Sequence, residues 1–185
     1  VRVYAEANPS ALLKELINES ITIALFIPTL FQKIADLPDF QNSESLPSSF
    51  KLIASGGAQL TKALWYGWQE KGIVIQNGCG LTESGPTLFL QTKPEALKMP
   101  TAVGQVVRHT QVKLIGPDGS EVHEGEAGEI WIRGAAVTPG YWRSVEHNRA
   151  AFKDQWFRTG DVAALHEGQY QIVDRMNDLF ICGGE

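Results

Sequence analysis

Apolar and polar positions in the first hundred residues alternate between helical and strand spacing. Asn8 followed by Pro9 is a helix start, and the apolar residues after it fall on one helical face. Pro28 and Thr61 begin two further segments with the same spacing. Short aliphatic or β-branched runs separate these helices and predict buried strands at 22–27, 51–54 and 73–75. The alternation predicts an α/β fold, in which helices pack on part of a mostly parallel sheet.

The pattern changes near residue 100. Short strand runs separated by glycine-rich turns follow, at 112–115, 129–133, 162–165 and 170–173. Gly116-Pro117-Asp118-Gly119 is a turn sequence, because proline fixes φ and glycine permits a positive φ. We therefore predict a small antiparallel β-barrel-like subdomain over residues 101–173, after a portion of a larger α/β subdomain over residues 1–100. The polar stretch 36–49 is predicted to be a loop.

Composition narrows the class of protein. Apolar residues make up 43% and charged residues 20% of the 185 residues, as in a globular protein with its own core. The net charge of -5 argues against a nucleic-acid binder, since phosphate-backbone affinity depends on basic residues. No apolar run approaches the roughly 20 residues that span a bilayer. Cys79 and Cys182 have no metal-site spacing, which predicts thiols in a reducing, cytoplasmic compartment.

The segment Gly78-Cys79-Gly80-Leu81-Thr82-Glu83 follows directly on a predicted strand. Ligands usually bind at the carboxyl ends of strands in open α/β sheets. Glycines let the backbone approach a flat or anionic ligand, and the Thr82 hydroxyl can donate to a phosphate oxygen. The Glu83 carboxylate suits Mg²⁺, which prefers oxygen ligands. On spacing alone, however, a tight turn capped by Thr82 is the favoured interpretation.

Three further segments carry candidate chemistry. Ser55-Gly56-Gly57-Ala58 follows another strand, although a Gly-Gly turn between strand and helix is by itself most often structural. Thr159-Gly160-Asp161 stands within a Trp-Phe-Arg-Thr-Gly-Asp run, where Asp161 can accept hydrogen bonds from both ribose hydroxyls or simply form a turn. Asp174-Arg175-Met176-Asn177-Asp178 is, on its residues alone, a solvated turn with an internal ion pair.

Taken in order, these motifs resemble the nucleotide-handling segments of acyl-CoA synthetases, members of the adenylate-forming enzyme superfamily. The resemblance implies an AMP-forming acid–thiol ligase that uses ATP, Mg²⁺ and coenzyme A with a fatty or aryl carboxylic acid. It implies two catalytic residues, Thr82 at the phosphates and Glu83 as the Mg²⁺ ligand. It also implies a set of nucleotide-binding residues: Gly56, Gly57, Ala58, Asn77, Gly78, Cys79 and Gly80 around the adenine, and Asp161 and Arg175 at the ribose.

The chain departs from the family pattern at one of these positions and at the hinge. Cys79 stands where the family has an aromatic residue, and a thiol offers adenine a much smaller face. Asn177 stands at the family's hinge position, usually Asp or Lys, within a predicted hinge segment 174–185; asparagine tolerates turn conformations well. The Gly183-Gly184-Glu185 ending resembles acyl-CoA ligases and differs from the Lys-aliphatic-Arg-Gly ending of peptide-synthetase adenylation domains.

The resemblance also implies two parts that these 185 residues do not contain. One is a phosphate loop ending in Pro-Lys-Gly, and the other is a C-terminal domain with a catalytic lysine. We therefore expect the chain to be a truncated internal fragment of a larger ligase and to be inactive by itself. Two alternatives stay open: a non-catalytic nucleotide-binding module, motivated by Cys79, and a peptide-synthetase adenylation domain. The acid, the acceptor and the oligomeric state are left undetermined.

Overall fold

The computed structural model describes residues 7–46 and 49–175, with side chains described as far as Val173. These residues belong to two compact units. The first contains the chain up to Gly78 together with Gln91–Thr101, and the second contains Cys79–Leu90 and the chain from Ala102 onwards. The predicted fold class is confirmed, because the first unit holds a parallel sheet with helices and the second an antiparallel sheet.

The first unit alternates helices and strands. β1, β2 and β3 are adjacent and parallel, and Ser55 at the end of β2 lies opposite Asn77 in β3. β2 therefore ends beside Asn77, within β3. The elements are α1 (Pro9–Asn18), β1 (Ile23–Phe26), α2 (Pro28–Ala35), α3 (Pro38–Gln41), β2 (Leu52–Ser55), α4 (Lys62–Glu70), the first half of β3 (Ile75–Leu81) and α5 (Lys93–Lys98).

Local signals explain where these helices begin. The side chains of Asn8 and Thr61 each accept the backbone N–H three residues later, at 3.0 Å and 3.3 Å, and so cap α1 and α4. A proline stands in the first turn of α1, α2 and α3, where its missing N–H costs nothing. The prediction of a loop over 36–49 is wrong in part, since Pro38 begins the single turn α3, which buries Phe40.

Aromatic side chains fill the core of the first unit. Trp68 is fully buried, with its ring centroid 5.0 Å from that of Phe31 and 4.7 Å from that of Phe40. Its Nε1 donates to the Phe31 carbonyl oxygen at 3.3 Å, and Trp65 Nε1 donates to the Ile75 carbonyl oxygen at 2.8 Å. Both large rings are therefore buried without leaving an indole N–H unpaired.

The second unit is built mainly of strands. Its antiparallel sheet has the order β10-β9-β7-β6, with β8 paired to β9, and buries Ile130, Ile132 and Phe157 in a separate core. The elements are the second half of β3, a 3-10 turn (Thr82–Ser84), β4 (Gly85–Leu90), β5 (Gln105–Val106), β6 (Thr110–Ile115), β7 (Ala127–Gly134), α6 (Val145–Ala151), β8 (Phe152–Lys153), β9 (Trp156–His166) and β10 (Gln169–Arg175).

Two of the candidate motifs lie within strands, where loops or turns were expected. β3 continues through Leu81, so Gly78, Cys79 and Gly80 are strand residues. β9 begins at Trp156, ahead of the predicted start at residue 162, and includes Thr159-Gly160-Asp161. Glycines weaken a strand signal in a sequence, but pairing with neighbouring strands overrides that local preference.

Candidate functional site

The turn after β3 presents Thr82 and Glu83 while burying Ser84. The Leu81 N–H donates to Ser84 Oγ at 3.2 Å, and this hydroxyl lies 3.3 Å from the Leu81 carbonyl oxygen. Ser84 is 2% exposed, so its hydroxyl serves the turn and is not available to a ligand. Thr82 is exposed and Glu83 half-buried, which leaves their side chains accessible at the end of the strand.

Glu83 is held by hydrogen bonds to a segment more than fifty residues away. The Tyr141 hydroxyl donates to Glu83 Oε1 at 2.8 Å, and the Thr138 N–H donates to the Glu83 carbonyl oxygen at 2.7 Å. Partial burial, and then the hydrogen bond to the Glu83 carboxylate, raise the pKa of Tyr141 above the ordinary tyrosine value. The phenol therefore stays protonated and acts as a donor near neutral pH.

Tyr141 is itself fixed in place by Asn148. Asn148 Oδ1 accepts the Tyr141 N–H at 2.7 Å, and Asn148 Nδ2 donates to the Tyr141 carbonyl oxygen at 3.0 Å. This two-bond clamp sets the backbone from which the phenol reaches Glu83. Sequence analysis missed Tyr141 as a site residue, because it stands 58 positions from Glu83 and nothing in the spacing connects them.

A cleft of about 240 Å³ in the second unit brings Glu83 and Tyr141 together with the Thr159-Gly160 segment of β9. Gly160 has φ +74°, and a Cβ added there would meet nothing within 4 Å, so the cleft is open at this point. The Thr159 hydroxyl donates to the Ile130 carbonyl oxygen at 2.8 Å and accepts the Asp161 N–H at 3.1 Å. Asp161 is 6% exposed.

Gly80 is needed by the fold itself. A Cβ added to Gly80 would lie 2.3 Å from the Pro86 carbonyl oxygen and 2.9 Å from the Thr87 nitrogen. The backbone of β4 thus occupies the space that the missing side chain leaves. Cys79, beside it, is half-buried and packs against the core of the second unit.

In the first unit the structure brings the Ser55–Ala58 loop next to Gly78 of β3. A Cβ added at Gly56 would lie 3.4 Å from the Gly78 carbonyl oxygen, and Gly57 adopts φ +84°, which favours glycine. Ser55 is 1% exposed, and its Oγ has no hydrogen-bond partner among the described residues. Asn77 is buried, and its N–H donates to Gln91 Oε1 at 2.9 Å. Gly57 and Ala58 are exposed.

The remaining candidates are only partly described. The backbone of Arg175 ends β10, in register with Asp161 of β9. Asn177, Cys182 and the Gly183-Gly184-Glu185 ending lie outside the described residues. Within residues 7–46 and 49–175, no group of three or more His, Cys, Asp or Glu side chains could hold a metal ion. In the same part of the chain, no helix is long and apolar enough to cross a membrane.

The amino-acid sequence of the chain matches a known protein family. Residues 1–142 match the family described as AMP-binding enzyme. The chain belongs to that family. The chain is 32% identical over 186 residues to a feruloyl-CoA synthase of Amycolatopsis sp. The alignment covers all of this chain and 38% of the relative. It is 32% identical over 173 residues to the long-chain-fatty-acid–CoA ligase of Haemophilus influenzae, covering 92% of this chain and 30% of the relative.

A solved structure supports the same placement. The structure of an anthranilate CoA ligase in complex with anthranoyl-AMP superposes on this chain with a TM-score of 0.82 at 28% sequence identity. The superposition covers 96% of this chain and 34% of the ligase. The resemblance to adenylate-forming enzymes drawn from the motifs is therefore confirmed. The chain spans roughly a third of the length of each of these relatives.

Proposed function

We propose that this chain is part of an ATP-dependent acyl-CoA ligase. The reaction joins a carboxylic acid to AMP with release of pyrophosphate, and then transfers the acyl group to coenzyme A. The similarity to an anthranilate CoA ligase in complex with anthranoyl-AMP supports the first step. Relatives named as feruloyl-CoA synthase and long-chain-fatty-acid–CoA ligase support the second step. The structural observation that carries the proposal is the cleft in which the tyrosine-held Glu83 faces the Thr159-Gly160 segment.

Glu83 fits a role as ligand to a nucleotide-bound Mg²⁺. Its Oε1 accepts the Tyr141 hydroxyl, whereas Oε2 has no hydrogen-bond partner among the described residues. A single carboxylate does not make a self-contained metal site, but Mg²⁺ commonly keeps several waters and binds one or two carboxylates together with substrate phosphates. When bound, the ion neutralises phosphate charge. In this proposal the hydroxyl of Thr82, the exposed residue before Glu83, donates to a phosphate oxygen.

The remaining residues bind the nucleoside in this proposal. Gly56, Gly57 and Ala58 contact the adenine, as do Asn77 and the residues Gly78, Cys79 and Gly80. Asp161 and Arg175 hold the ribose, and Asn177 is the hinge residue of the segment 174–185. Ser55 Oγ, at the start of the Ser55–Ala58 loop, has no partner among the described residues. This supports a polar ligand nearby, because a buried hydroxyl without a partner is costly.

The chemistry needs no protein nucleophile. The substrate carboxylate attacks the α-phosphorus of ATP. The bond between the α-phosphorus and the oxygen that bridges to the β-phosphate breaks, and this oxygen leaves with its electron pair as part of pyrophosphate. The protein's contribution is to align the reactants and to stabilise negative charge at the phosphates. The thiol of coenzyme A then displaces AMP from the acyl carbon.

ATP–pyrophosphate exchange by the full-length protein that contains this chain, across a panel of fatty and aryl acids, tests the proposal. We expect exchange with one class of acid and formation of a thioester once coenzyme A is added. Exchange without a thioester would redirect the second step to another acceptor. No exchange with any acid, in a protein shown to be folded, would overturn the proposal in favour of a non-catalytic nucleotide-binding module.

A matched pair of variants tests the assigned role of Glu83. Glu83→Gln keeps the shape of the side chain and removes its charge, so we expect exchange to fall about a hundredfold and its Mg²⁺ requirement to rise. Glu126→Gln is the control, since that exposed carboxylate only accepts the His123 N–H at 3.0 Å. Equal exchange rates in the two variants would refute the role of Glu83.

A further inference from the structure

Glu129 is a buried carboxylate that contacts Gly160 of the candidate cleft, and the sequence assigned no chemistry to it. It lies on β7, and the residue is 9% exposed. Its Oε2 accepts Trp131 Nε1 at 2.7 Å and pairs with Arg158 Nη2 at 3.2 Å. Its Oε1 accepts the Gly160 N–H at 3.3 Å. Both carboxylate oxygens are therefore engaged, and two of their donors belong to β9.

These contacts surround an irregularity in the β7–β9 pairing. Glu129 pairs with Val162 and Trp131 pairs with Arg158, so β9 advances by more residues than β7 over this interval. Thr159-Gly160-Asp161 lies between those pairs, where the register of β7 with β9 shifts. A bulge of this kind leaves backbone groups unpaired and redirects side chains, which is why bulges are common beside active sites.

Glu129 compensates for the hydrogen bond that the bulge removes. The Gly160 N–H has lost its strand partner, and the carboxylate accepts it instead. Arg158 and Trp131 donate to the second carboxylate oxygen of Glu129. These bonds stabilise the buried charge, since a buried carboxylate is costly unless it is paired and hydrogen-bonded. The Thr159 hydroxyl donates to the Ile130 carbonyl oxygen, which adds a second bond between the bulge and β7.

We propose that Glu129 is a positioning residue, which sets the conformation of the Thr159-Gly160-Asp161 bulge and thereby the placement of Asp161 at the ribose. The inference rests on the proposed function, since it assumes that Asp161 binds the nucleotide. Glu129 acts through the backbone of Gly160 and does not itself line the cleft. Its removal therefore weakens recognition of the ribose hydroxyls while leaving the Mg²⁺ requirement set by Glu83 unchanged.

The test compares ATP with 3′-deoxy-ATP in pyrophosphate exchange by the full-length protein. In Glu129→Gln one of the two acceptor oxygens becomes an NH₂ group. This group faces either the Gly160 N–H or the Arg158 and Trp131 donors, and it cannot accept from the donors that it faces. We expect the KM for ATP to rise about tenfold, the preference for ATP over 3′-deoxy-ATP to shrink by a similar factor, and kcat to change little. Glu126→Gln, in the turn that precedes β7, is the control and keeps wild-type values.

A double-mutant cycle separates positioning from general damage. If Glu129 acts through Asp161, Glu129→Gln has almost no further effect on ATP preference in an Asp161→Asn background. Additive effects, or an unchanged preference in Glu129→Gln, would overturn the inference while wild-type exchange still upholds the ligase activity. Absence of exchange in the wild type would instead remove the proposed function. If Glu129→Gln does not fold, Arg158→Gln makes the same test, because it removes the ion pair that orients the carboxylate.

Discussion

Replacing Gly80 by alanine should destabilise the chain because the strand next to it leaves no room for a methyl group. The added Cβ would lie 2.3 Å from the Pro86 carbonyl oxygen and 2.5 Å from its carbonyl carbon. Ordinary contacts begin near 3.4 Å, so β3 and β4 must separate by about one ångström. The obstructing atoms are backbone and cannot rotate away. Overpacking of this kind costs about 3 kcal/mol.

Gly67→Ala is the matched control for this experiment. Gly67 lies inside α4, and a Cβ added there meets nothing within 4 Å. Alanine is favoured over glycine in a helix by about 1 kcal/mol, so this variant should be more stable than the wild type. The same substitution is thus expected to have opposite signs at two positions of one chain.

Urea unfolding followed by tryptophan fluorescence measures both effects. With a denaturant slope of about 2 kcal/mol per molar, Gly80→Ala should lower the midpoint by about 1.5 M and Gly67→Ala should raise it by about 0.5 M. A Gly80→Ala midpoint equal to that of the wild type would contradict this expectation. It would show that β4 yields without cost and that the space beside Gly80 is not filled by backbone.

Three other expectations concern single side chains. Trp68→Ala should cost about 4 kcal/mol in urea unfolding, since it empties a fully buried site against Phe31; a loss below about 1 kcal/mol would contradict that packing. Thr61→Ala should cost about 1 kcal/mol through loss of the α4 cap, and Thr61→Ser should restore most of it. Because the pKa of Tyr141 is raised in the folded chain, its stabilising contribution is present below the ordinary tyrosine pKa of 10.0 and is lost as the pH rises through the higher folded value. The urea midpoint should therefore fall more steeply above pH 10 in the wild type than in Tyr141→Phe. Parallel curves would show that burial and the Glu83 carboxylate do not act on this phenol.

Short-range signals were enough to predict most of the secondary structure. Helix starts at Asn8, Pro28 and Thr61 depend on side chains that act within one helical turn, so neighbouring residues determine them. The parallel order of β1, β2 and β3 follows from the alternation of strands and helices. The short helix at Pro38 was missed because its polar surroundings have no helical period, and its stability comes from burying Phe40 against Trp68.

The residue types of the candidate site and their order along the chain can be read from the amino-acid sequence. The contacts that hold those residues in place arise only in the folded chain. Glu83 is bound by Tyr141, and Glu129 supports the Gly160 bulge, across 58 and 31 positions. The segments Gly78–Gly80 and Thr159–Asp161 were likewise expected to be turns, but they lie in strands because they pair with neighbouring strands. Such contacts depend on which strands become neighbours, and that outcome is set by burial of the whole sheet and not by any local pattern.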